Sequence, residues 1–278
     1  MCLIPFSRSS NIEKEKTMKK VFLFLVFAMI VSVANAWHKN SEAGVVVLAT
    51  KYLTPEAKAL VEKHLGTRYE DDVDCLYYWQ MKKRADYTNE IHYLHLDKDF
   101  RPLSVEGDDA YAALEKALTV VRAHKLQSDA EVKTALRYVI NLMLDIHNLS
   151  QIRIENIPHS QADFKFKRQK SEYKPNEYKL YKWSTFFTVQ SNAYAVFHAD
   201  LWAEDMDLCH GKHREEYSKG ELRDWVSANG ALAAEILSEI SPDCVTTLRR
   251  ILELDFLNYD MMARAGYRLA VLLNDALK

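Results

Sequence analysis

Residues 128–148 constrain this chain more than any other stretch. Ser128, Asp129, Ala130 and Glu131 have the S-x-x-E spacing of a capping box, in which serine and glutamate satisfy the backbone N–H groups that open a helix. The residues after the box are apolar almost all round: Ala135, Leu136, Val139, Ile140, Leu142, Met143, Leu144 and Ile146. A surface helix shows one apolar stripe, so a helix without a polar face belongs at the centre, with other elements packed around it. Asp145 and His147 stand near its end. A buried carboxylate is costly unless a cation, a metal or hydrogen-bond donors satisfy it. Asp145 is therefore the sharpest functional candidate that the residues alone provide.

The remaining elements obey the same logic. Thr54, Pro55 and Gly66 read as N-cap, first turn and terminator of a helix over 55–65. Apolar residues at i, i+3, i+4 spacing predict a helix over about 108–124. Further helices are expected at about 184–205, 219–240 and 242–277, the last capped by Ser241 with Pro242 at its first position. Residues 152–183 alternate polar and aromatic types and read as a hairpin or long ordered loop, with Lys174-Pro175-Asn176 as its turn. Only 7 glycines and 6 prolines occur in 278 residues, which favours long helices over many turns. The expectation is an all-α, mostly helical single domain with a small hairpin or loop insertion.

The amino-terminal segment reads as a leader. Lys19 and Lys20 precede an apolar run over 21–33, and Ala34-Asn35-Ala36 supplies a small-residue cleavage site before Trp37. The run is short of the roughly 18 residues that a membrane span needs. The expected division is a leader over 1–36, with the signal peptide at 18–36, and a domain over 37–278. On this reading Met18 is the initiator, export is to the periplasm or beyond, and no stable membrane span remains after cleavage. An uncleaved anchor is the alternative. The leader carries five Lys/Arg and two Asp/Glu, so the net charge of −2 becomes −5 without it. A general electrostatic affinity for nucleic acid is not indicated. Cys75, Cys209 and Cys244 allow at most one internal disulfide, and the spacing does not select a pair.

Cleavage after Ala36 would give Trp37 a free α-amine, which can chelate a metal together with its own carbonyl. Taken with His92-Tyr93, Asp145-Ile146-His147 and His198, this resembles the zinc-dependent single-strand nucleases of the mung-bean type, relatives of the bacterial zinc phospholipases C. The likeness runs in order along nearly all of 37–278. Trp37-His38-Lys39-Asn40-Ser41-Glu42 stands where the family has W-G-x-x-G-H. Trp79-Gln80-Met81 stands for W-A-D, and His92-Tyr93 for H-Y/F. The stretch over 135–151 matches the family's core helix A-L-x-F-L-x-H-x-x-G-D-x-H-Q-P-L-H, and 196–202 matches N-L-H-x-x-W-D imperfectly.

The resemblance implies a cluster of three zinc ions that orients a hydroxide and stabilises the pentacoordinate phosphate. Carried across residue by residue, the ligands Trp37, His92, Asp145 and His198 are retained. Glu42, Asn141 and Gln151 replace histidines, while Met81 and Trp202 replace aspartates. Carboxamides and a thioether are weak zinc ligands, whereas Glu42 still offers oxygen. The implied cofactor is zinc with fewer than three ions, or no metal. In a surviving site Trp37, Glu42 and Asp145 would hold the metal, with His92 as a further ligand or proton donor. His147 would be a scaffold histidine beside them. The resemblance leaves two functions open. One is an exported nuclease-family protein whose eroded site leaves it catalytically impaired or a pseudoenzyme. The other is an active metal-dependent hydrolase with one or two metals, acting on single-stranded nucleic acid, nucleotides or phospholipid. The sequence identifies no protein partner. The basic and aromatic residues over 164–182 could contact phosphates or stack on bases.

Overall fold

The computed structural model describes residues 37, 39–68, 89–103, 109–171, 173–187 and 198–278. The leader therefore lies outside the described residues, as do His38, Cys75 and the Trp79-Gln80-Met81 motif. Ala34–Lys278 forms one compact unit. It is mostly helical, as the composition requires.

Among the described residues, seven long helices build it: α1 Lys39–Thr50, α2 Pro55–Leu65, α3 Ala110–Arg122, α4 Asp129–Asp145, α5 Ala199–His210, α6 Leu222–Glu239 and α7 Leu248–Ala276. The capping signals act where they were read. The Thr54 side chain accepts from Ala57 N, and Gly66 ends α2 at a φ of 90°. Ser128 and Glu131 close a reciprocal capping box at the start of α4. Leu136, Val139, Leu142 and Met143 in α4 are fully buried, so this helix is the centre of the core. It packs against α2, α3 and α7, and α1 packs against α5 and α7.

Several boundaries differ from those expected. The long C-terminal helix begins at Leu248, not Pro242, because Thr247 rather than Ser241 caps it by accepting from Arg250 N. The intervening Val245–Thr246 forms a short strand, β5, that pairs in parallel with the hairpin. Of the helix expected at about 184–205, Trp183–Thr185 is a 3-10 turn, Phe186 and Phe187 are helical, residues 188–197 lie outside the described residues, and Ala199–His210 is helical, running past the expected end. The hairpin itself is present, with β3 Lys165–Ser171 antiparallel to β4 Lys174–Lys182. Lys174-Pro175-Asn176 is not its turn, since all three residues lie inside β4. A proline is compatible with that position because β4 is an edge strand in the order β4-β3-β5.

One pairing has no counterpart in the sequence reading. β1 Leu94–Leu96 runs parallel to β2 Ile152–Ile154, with Leu94 opposite Ile152. The strands begin immediately after His92-Tyr93 and Gln151. Their register draws those two positions towards the end of α4, where Asp145 lies.

Candidate functional site

At the end of α4 the chain leaves the helix through a short run of tight turns. Asn148 makes an Asx turn, its Oδ1 accepting from both the N–H and the hydroxyl of Ser150. This folds Gln151 back towards Asp145. The parallel pair supplies His92 from the other side. His92 Nδ1 lies 2.8 Å from Asp145 Oδ2, and both side chains are about 95 % buried. Gln151 lies close enough to the Asp145 carboxyl to favour its charged form. Desolvation dominates there and pushes the Asp145 carboxyl above the ordinary carboxylate range, opposed by His92 and Gln151. Gln151 Oε1 is buried without a hydrogen-bond partner, and so is Asn148 Nδ2.

Trp37 is fully buried at the start of α1. Its backbone N–H donates to Glu42 Oε1 at 2.8 Å, and its indole Nε1–H donates to Asn258 Oδ1 on α7 at 2.6 Å. Glu42 is itself only 4 % exposed. Trp37 and Glu42 thus form one buried polar pair, and His92 and Asp145 form another.

The other ligand positions are used differently. Asn141 donates to Arg137 O one turn back in its own helix. His198 is exposed at the N-cap of α5, with no side-chain capping bond. Trp202, at the place of an aspartate, is buried against Gly44 of α1 and the Tyr259 ring. Met81 lies outside the described residues. His159 and Asp163 of the long segment are engaged elsewhere. His159 Nε2 bonds Leu237 O, and Asp163 pairs with Lys182.

His147 belongs to a second buried network. Its Nδ1–H donates to Met143 O at 2.7 Å, and its Nε2 accepts from Arg268 Nη1 at 2.9 Å. Accepting from Arg268 requires the neutral ring, and burial beside a guanidinium holds its pKa well below the ordinary histidine value. Arg268 also donates to Tyr217 O and to Asn229 Oδ1, and Asn229 donates to Ile146 O. Burial pulls Arg268 down to about 10. The sequence reading missed Arg268. Its signal was a lone cation inside the apolar run over 265–273 of α7.

No protein-family model and no curated protein matches this chain.

The donor set does not fit a trinuclear zinc centre. Among the described residues no three His, Cys, Asp or Glu side chains converge in a way that could hold an ion. Of the retained ligands, His92 and Asp145 engage each other and Trp37 engages the substituted Glu42, while His198 stands exposed. Cys209 and Cys244 are free thiols.

Proposed function

We propose that this protein is an exported, catalytically impaired member of the zinc-dependent single-strand nuclease family. Its former ligand positions now serve as internal polar ties. One observation carries the reading. Asp145, at the position of a central ligand of the family site, is a buried carboxyl whose Oδ2 lies 2.8 Å from His92 Nδ1. That contact engages two of the retained ligand positions with each other. Asn141, Gln151 and Trp202 in place of ligands support the same conclusion. On this reading the segment over 18–36 is a cleaved signal and the domain starts at Trp37.

One observation favours the alternative of a reduced metal-dependent phosphodiesterase. Gln151 Oε1 is an unsatisfied buried acceptor next to Asp145, an oxygen that a cation would satisfy. Elemental analysis of the purified protein, with Asp145→Ala alongside, separates the two. We expect sub-stoichiometric zinc and manganese in both, and no turnover of single-stranded DNA, RNA or phosphatidylcholine. Stoichiometric metal that disappears in Asp145→Ala, with hydrolysis abolished by a chelator, would overturn the proposal.

A further inference from the structure

The hairpin is a basic island on an acidic protein. Residues 163–182 carry seven Lys/Arg against three Asp/Glu, a net of +4, in a chain whose total is −2. Strand register sorts these side chains onto two faces. Phe166 opposite Tyr181 points into the core, where both are buried. The other face carries Lys165 opposite Lys182, Lys167 opposite Leu180 and Gln169 opposite Tyr178, with Val245 of β5 beside Lys167. Leu180 is 53 %, Val245 49 % and Tyr178 41 % exposed on it. Asp163 neutralises Lys182, and Glu177 pairs with Lys170 and Lys174. Among the described residues Lys165 and Lys167 have no carboxylate partner.

We propose that this face docks the protein on an anionic phospholipid surface. Lys167 is flanked across the sheet by two exposed aliphatic residues, Leu180 and Val245. That arrangement lets aliphatic groups and a tyrosine enter the interfacial layer while lysine ammonium groups stay among the phosphates. Charge complementarity selects the occupant. A second copy would oppose one positive face with another. Single-stranded nucleic acid would need a series of open aromatic faces. Phe164, Phe166, Tyr181 and Trp183 are buried instead, leaving only Tyr173 and Tyr178 in the open and giving Leu180 and Val245 no role. The inference does not depend on the catalytic state of the site at Asp145.

Co-sedimentation of the full chain with phosphatidylcholine vesicles, with and without phosphatidylglycerol, tests it. The readout is the ratio of affinities for the two vesicles, because the apolar run over 21–33 is common to every variant. We expect preference for the anionic vesicle, weakening steeply as salt is raised. Lys165→Gln and Lys167→Gln should each reduce that preference about fivefold. Leu180→Ser should reduce binding to the anionic vesicle several-fold without moving the melting temperature, since the side chain is exposed. Equal affinity for both vesicles, no binding, or a preference indifferent to the hairpin substitutions would overturn the proposal. So would tighter binding to a single-stranded oligonucleotide, lost in Tyr178→Ala and retained in Leu180→Ser.

Discussion

His147 illustrates how a residue that looks catalytic can be committed to the scaffold. Its two ring nitrogens are both engaged, one as donor to Met143 O and one as acceptor from Arg268. Protonation would set an N–H against a guanidinium, so the folded state refuses the proton. The unfolded chain accepts it near the ordinary value of 6.5. The folded pKa is therefore depressed. The stability contributed is present above the unfolded pKa and is lost as pH falls below it towards the folded value. The loss approaches about 1.4 kcal/mol per pH unit for this one group. Urea denaturation across pH 7 to 5 should show that slope in the native protein. In His147→Gln, which keeps an acceptor for Arg268 but cannot titrate, the slope should flatten by that amount. An unchanged slope would mean that His147 is not the group held neutral.

At the scale of elements, the contacts that set the positions of the site residues are backbone approaches at glycine. A Cβ on Gly44 of α1 would lie 2.5 Å from Trp202 Cβ on α5 and 3.3 Å from Ala199 O. A Cβ on Gly266 of α7 would lie 2.9 Å from Leu48 Cδ2 and 3.1 Å from Val45 O on α1. So α1, which carries Glu42, is clasped between α5 and α7 at two points with no room for a methyl group. Alanine normally favours a helix over glycine by about 1 kcal/mol. Gly44→Ala should nevertheless lose about 1–3 kcal/mol, because Trp202 Cβ is fixed to its own backbone and the two helices must separate. A melting temperature at or above that of the parent would refute this. These approaches explain what the sequence could and could not disclose. Thr54, Ser128 and Glu131 act over three or four residues, and their caps were legible. The choice of Thr247 over Ser241 depends on β5 pairing with β3, a contact with distant residues, and was not. The three-residue strands β1 and β2 are too short to show a period, yet they deliver His92 to Asp145.

Across the whole molecule, α7 acts as the spine. At about 1.5 Å per residue its 29 residues run roughly 43 Å. Along that length Asn258 holds the Trp37 indole, Gly266 admits α1, Tyr267 donates to Asp207, and Arg268 reaches the end of α4. A long C-terminal helix was expected from the sequence, but the polar residues set among its apolar positions were not recognised as ties. Asp145 was legible because it is a carboxylate in an apolar helix, whereas the other site candidates came only from the resemblance. Their partners were not legible, since Trp37 and Asn258 stand 221 residues apart. Arg268 tests whether such ties hold the fold or merely fill it. The residue is only 5 % exposed, and its guanidinium bonds three acceptors: His147 Nε2, Tyr217 O and Asn229 Oδ1. Replacing a complete buried ionic cluster by apolar residues is often neutral, whereas removing one member leaves the others dry. Arg268→Met removes the cation of this network and strands all three acceptors, at about 1–3 kcal/mol for each one that water cannot reach. A loss of roughly 3 kcal/mol or more in urea unfolding, read by tryptophan fluorescence, is the expected result. Arg268→Met combined with His147→Leu removes the nearest stranded acceptor and should recover part of that loss. If the single variant is as stable as the parent, α7 is held by its apolar contacts alone, and the Arg268 network carries no weight in the fold.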